Sequence, residues 1–166
     1  FARPGHPDKL ADQVSDAVLD AHLAIDPLSR VAVEGLLKGN TCTLAGEITS
    51  RAVIDLSAVV SSVLGAGMAI TSYITQQDRQ IGGAVDRGGA GDMGHIFGYA
   101  HRDRIPIEQC REIASELDQI DGLLPDGKVQ VTGSQGPIVI CAQHLPGFDI
   151  NTLRRVLPSG RKLILR

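Results

Sequence analysis

No stretch of this 166-residue sequence reaches the roughly 18 uncharged apolar residues that a spanning helix needs, so no transmembrane helix is expected. Basic charge is also short. Sixteen Lys and Arg stand against nineteen Asp and Glu, a net charge of −3 and a pI near 5.9. A general nucleic-acid binder carries a basic excess, so no nucleic-acid partner is expected. Cysteine is scarce and scattered: Cys42, Cys110 and Cys141 form no CxxC or Cys/His cluster. That excludes a zinc ribbon and a disulfide framework. Cys42 and Cys141 lie in alternating apolar runs, where a small buried thiol is expected. No secretory leader pattern occurs, and a cytoplasmic setting is expected. The chain opens on Phe1, so its natural start is expected upstream or removed.

What is present suffices for folding. Apolar residues make up 43% and charged residues 21%, enough for a core and ordinary for a globular chain. The length fits one domain or two small ones. Nineteen glycines, about 11%, exceed the usual ~7%. Seven of them fall between Gly82 and Gly98, so the excess is local.

Leu10, Val14, Ala17, Ala21 and Ile25 recur at helical spacing, which predicts a helix from Pro7 to Ile25. Pro7 suits its first position, and Asp8 and Asp12 suit the positive end of its dipole. Strands are predicted at Arg30–Lys38 and Thr41–Thr49 around a Gly39-Asn40 turn, then a helix at 50–64 and a strand at 68–75. The glycines of 76–100 predict a loop whose backbone approaches something closely. A helix at 107–120 follows, then strands at 128–132 and 137–143, a short helix at 149–157 and a strand at 162–165. Residues 30–75 and 122–166 thus both read β-β-α-β. The expected fold class is α+β, built of repeated β-β-α-β units with helices on one face of small sheets. The expected division is 1–121, holding the N-terminal helix and Gly-rich loop, and a shorter unit at 122–166.

Two familiar patterns fail on context. Gly89-Ala90-Gly91-Asp92-Met93-Gly94 fits GxGxxG but lacks the flanking strand and helix of a dinucleotide site. Gly122 through Lys128 fits the front of a phosphate loop, but Val129 stands where Ser or Thr belongs and a strand follows. Gly5-His6-Pro7-Asp8-Lys9 is more informative. At a helix start, His6 and Lys9 can hold phosphate oxygens and Asp8 the accompanying Mg²⁺; alternatively, Pro and Asp simply start helices well. Asp8, Asp12, Asp16 and Asp20 share a face that is expected to be solvated beyond the first. Glu34 and Glu47 lie on apolar strands and need a cationic partner, either a ligand's amino group or an internal Arg. Asp92 among glycines suits a backbone shaped around a small molecule or an ordinary tight turn, and Lys128 suits a phosphate contact or a structural role.

Together these segments resemble the S-adenosylmethionine synthetases (methionine adenosyltransferases). The resemblance rests on Gly5-His6-Pro7-Asp8-Lys9 with the helix to Asp20, Val31-Ala32-Val33-Glu34, Ala45-Gly46-Glu47-Ile48-Thr49, Gly89 to Gly94, Phe97-Gly98-Tyr99-Ala100, and Leu124 to Thr132. Pro158-Ser159-Gly160-Arg161 completes the series. It spans essentially the whole chain and the first half to two thirds of a usual member. The resemblance implies similar α+β units and synthesis of S-adenosylmethionine from ATP and methionine. Methionine sulfur would attack the ribose 5′ carbon, and the displaced triphosphate would be cleaved to phosphate and pyrophosphate. It further implies Mg²⁺, K⁺ and a homodimer or higher homo-oligomer with active sites between subunits. By resemblance, His6 would steady the leaving triphosphate, Asp8 would bind Mg²⁺ and Glu34 would lie at the K⁺ site. Glu47 and Gln77 would hold methionine, Asp92 would position both substrates, and Asp126 and Lys128 would contact nucleotide and phosphates.

The sequence departs from the family at Pro4, where Glu is usual, at Gln77-Asp78-Arg79-Gln80, where Gln-Ser-Pro-Asp is usual, and at Met93, where Gln is usual. The loop before Gln77 is shortened. After Arg161 the family continues into a lysine-rich phosphate loop, where this chain reads Lys162-Leu163-Ile164-Leu165-Arg166. Two readings follow: an enzyme of this family, or a catalytically incomplete nucleotide- or methionine-binding subunit paired with a complete synthetase.

Overall fold

The computed structural model describes residues 1–89, 106–132, 136–156 and 163–165. The chain divides into two compact units, one of Leu10–Phe97 and one of Phe1–Lys9 with Gly98–Arg166. Helix α1 (Pro7–Ile25) begins in the second of these and continues in the first.

In the Leu10–Phe97 unit, β1 (Arg30–Lys38) and β2 (Thr41–Thr49) form an antiparallel hairpin closed at Gly39-Asn40. Helix α2 (Leu56–Leu64) then carries the chain back so that β3 (Ala69–Gln76) pairs with β2 in parallel. Strand periodicity sorts the side chains. Val33, Cys42 and Leu44 point inward and meet Val14 and Val18 of α1 and Val60 of α2. Burial pushes the Cys42 thiol pKa up. The buried stripe of α1 is Val14, Val18 and His22, whereas Ile25 is exposed in the last turn. The opposite face carries Glu34, Leu36, Ala45 and Tyr73, all exposed.

The other unit repeats this order. β4 (Leu123–Val131) and β5 (Ile138–His144) are antiparallel, a 3-10 helix (Ile150–Val156) follows, and β6 (Leu163–Leu165) joins β5 in parallel. The two sheets therefore share one strand order and one sense of pairing, and the α+β reading holds. Helix α4 (Pro106–Leu117), grouped on sequence with residues 1–121, packs on β4 and the 3-10 helix. Its Cys110, Ile113, Ala114 and Leu117 share a core with Val129, Ile138, Ile140 and Leu153.

Three local expectations change. Helix α2 starts at Leu56 rather than 50, because Asp55 caps it by accepting from Ser57 N and Ala58 N at 2.9 and 3.1 Å. The segment 76–100 is not all loop. Helix α3 (Arg79–Asp86) forms behind the Asp78 cap despite Gly82 and Gly83. Residues 90–105, with Asp92, lie outside the described residues. Cys141 is exposed rather than buried, since strand alternation turns it to the outer face opposite Lys128.

Candidate functional site

The chain segment before α1 runs as a short edge strand along β4. Phe1 N donates to Val129 O and Val129 N to Phe1 O, both at 2.8 Å, and Arg3 N donates to Gly127 O at 2.9 Å. Gly5 N then donates to Pro125 O at 3.1 Å. A Cβ on Gly5 would lie 2.8 Å from Pro125 Cβ, so glycine permits this approach. Gly127 has φ +148, and a Cβ there would strike the Cys141 carbonyl. These contacts set Gly5-His6-Pro7-Asp8 beside Asp126-Gly127-Lys128.

At that junction His6 caps α1. Its Nδ1 accepts from Asp8 N at 3.1 Å, which leaves Nε2 to carry the ring hydrogen. Asp8 Oδ1 lies 3.7 Å from the same Nδ1. The backbone bond is the shorter contact and makes Nδ1 an acceptor. The Asp8 carboxylate sits 3.6 Å from Lys128 Nζ, and both groups are exposed. Asp126 is half-buried, and its carbonyl accepts from Arg3 Nη1 at 3.2 Å. The dipole of a helix start, an imidazole donor and an ammonium suit the oxygens of an anion such as phosphate.

A second cluster lies in the Leu10–Phe97 unit. A cavity of about 460 Å³ is lined by Leu19, Ser29, Arg30, Ala32, Glu47 and Gln77, with Val31 and Ile81 completing the wall. Glu47 sits on β2 opposite Ala32 and Thr75. Arg30 Nε donates to Gln77 Oε1 at 3.0 Å, and its Nη1 meets Asp86 Oδ1 at 2.6 Å. With its oxygen engaged, Gln77 keeps its amide NH₂ for a ligand. A carboxylate, an amide donor and apolar walls suit a small amino-bearing molecule with an apolar side chain. Glu34 shares the outer sheet face with Glu47 but does not line this cavity.

Two arrangements escaped the sequence reading. Buried Asp26 accepts from Arg51 N at 2.9 Å and Arg51 Nη2 at 3.0 Å, tying the two loops at that end of the sheet. The Arg51 side-chain bond, with its backbone bond, holds the Asp26 carboxyl far below the usual carboxylate range. Arg3 is buried and bonds Asp118, Leu124 and Asp126. Pairing across 115 positions leaves no local sequence signal.

Among the described residues no three His, Cys, Asp or Glu gather as a metal cage. Mg²⁺ in nucleotide sites takes one or two carboxylates and draws the rest from phosphates and water. The exposed Asp8 carboxylate fits that kind of site. Glu34 offers one exposed carboxylate and no cage of its own. No described helix is long and apolar enough to cross a membrane.

Residues 2–80 match the S-adenosylmethionine synthetase N-terminal domain family. The chain is 38% identical to S-adenosylmethionine synthase 1 of Frankia casuarinae, covering 97% of this chain and 51% of that protein. It is 38% identical to S-adenosylmethionine synthase 1 of Rhodopseudomonas palustris, over 94% and 50%. It is 37% identical to S-adenosylmethionine synthase of Nitratidesulfovibrio vulgaris, over 94% and 52%. The chain spans about half the length of the curated relatives it matches. Residues 2–80 thus carry the S-adenosylmethionine synthetase N-terminal domain.

Proposed function

We propose that this chain serves S-adenosylmethionine synthesis from ATP and methionine. Methionine sulfur attacks the ribose 5′ carbon, the C5′–O bond breaks, and the triphosphate leaves and is hydrolysed to phosphate and pyrophosphate. The observation that carries this reading is the convergence of His6, Asp8 and Lys128 at one helix start, from segments 120 positions apart. His6 donates through Nε2 to the departing triphosphate, Lys128 neutralises its oxygens, and Asp126 faces the nucleotide. Preplaced donors and charge stabilise the negative charge that develops there. Glu47 takes the methionine ammonium and Gln77 its carboxylate, in the cavity that Arg30 orders. Asp92 positions both substrates.

Asp8 would hold Mg²⁺, which would supply charge neutralisation at the phosphates, and Glu34 would offer one carboxylate ligand to K⁺. The working form is a cytoplasmic homodimer or larger homo-oligomer with active sites between subunits. The exposed sheet face bearing Glu34, Leu36, Ala45 and Tyr73 supports that assembly.

The test is product formation by the full chain at high concentration with ATP, methionine, Mg²⁺ and K⁺. S-adenosylmethionine is expected, with kcat/KM reduced about 100-fold or more in Lys128→Ala. Absence of product from wild type counts against unaided catalysis. A second reading keeps ligand binding and assigns the chemistry to a complete synthetase partner. ATP binding by calorimetry, with turnover only after a longer synthetase is added, favours it; unaided turnover refutes it.

A further inference from the structure

We infer that Arg3 is a positioning residue that holds Asp126 and Lys128 in register with the start of α1, an inference resting on the nucleotide-binding reading above. Arg3 is 1% exposed. A guanidinium in that setting is costly unless its donors are used. Four of its five N–H groups are used. Nε and Nη2 both meet Asp118 Oδ1, at 3.0 and 2.6 Å. Nη1 donates to Leu124 O at 2.7 Å and to Asp126 O at 3.2 Å. Those two carbonyls flank Pro125, where β4 shifts register between Leu123 and Gly127. The fork therefore grips an irregular strand segment that the ladder does not hold. Its other side grips the residue after α4, whose buried face anchors the core.

Backbone and side chain act together. Arg3 N bonds Gly127 O and Arg3 O accepts from His6 N at 3.0 Å. One residue thus touches both segments that carry the proposed phosphate contacts. Arg3 reaches none of the phosphate-facing atoms itself; it acts through Asp126, Lys128 and His6. Lysine cannot reproduce the fork, because its ammonium is a point charge without the planar donor set.

The test is Mg–ATP binding by calorimetry at 10 °C on the full chain, with folding checked by far-UV circular dichroism and thermal melting. Arg3→Lys and Asp118→Ala each remove the fork, and Leu153→Ala thins the same unit's core without touching it. The expected result is at least tenfold weaker Mg–ATP binding in Arg3→Lys and in Asp118→Ala. Leu153→Ala is expected to melt earlier with wild-type affinity. Hydrogen exchange at residues 126–128 is expected to quicken in the two fork variants only. Wild-type affinity in either folded fork variant overturns the inference. Weakened binding in Leu153→Ala equal to that of the fork variants overturns it as well, since the effect would then be general softening. A wild-type chain that fails to bind Mg–ATP overturns the functional reading itself and the role of Arg3 with it.

Discussion

Asp26 binds its proton far less readily in the fold than in an open chain, because Arg51 donates to it from side chain and backbone. A depressed carboxylate pKa stabilises the fold above the unfolded value, near 3.9, and that contribution fades as pH falls through the folded value. Asp26→Asn is therefore expected to lower the melting temperature at pH 7. The gap to wild type should narrow as the pH is taken below about 4. Thermal melts at pH 7 and pH 3 check this, and a gap that widens in acid refutes it. Gly127 gives a second residue-scale expectation. Gly127→Ala must adopt an unfavourable φ and strike the Cys141 carbonyl. It should cost more than about 1 kcal/mol in denaturant unfolding.

Among the elements, α3 shows what sequence patterning can and cannot reveal. Two adjacent glycines each cost roughly 1 kcal/mol in a helix, so a loop is the natural reading of that segment. The helix survives because Asp78 caps it and Arg30 clasps Asp86 at its end. The Arg30 contact, 56 positions away, is not visible from residues 76–89 alone. At Gly83 an added Cβ meets Arg87 Nη1 at 3.4 Å, an ordinary contact, whereas at Gly82 it meets Arg30 Nη2 at 3.2 Å. Gly83→Ala is expected to slow amide exchange across α3 by several-fold. Gly82→Ala is expected to loosen the Arg30–Gln77 bond and shift the Gln77 side-chain amide resonance. Equal behaviour of the two variants counts against this account.

Where periodicity is strong, pattern suffices: α1, β1 and β2 end at the residues read from the chain. The start of α2 is less legible, because Asp26 claims Arg51 N and Asp55 claims the first helical amides. The candidate site divides the same way. His6, Asp8 and Lys128 are recognisable by resemblance and come together. Arg3, Arg30 and Asp118 carry no local pattern and emerge only from contacts across the fold.

For the whole molecule, the duplicated strand order means that each unit has its own sheet and its own core. Leu36 and Tyr73 are 71% and 67% exposed on the Leu10–Phe97 sheet. These two apolar side chains support the proposed assembly through this face. Tyr73→Asp is expected to leave circular dichroism unchanged and to shift sedimentation toward the monomer. An unchanged sedimentation coefficient refutes assembly through this face.

The edge strand at residues 1–3 also sets a schedule for synthesis. Its partners emerge from the ribosome more than a hundred residues later, and Arg3 waits 115 positions for Asp118. At about 5–20 residues per second, that interval is roughly 6–23 seconds. Until it ends, the residue 1–3 segment has no strand to pair with, and the side chain of Arg3, buried in the finished fold, must remain in water.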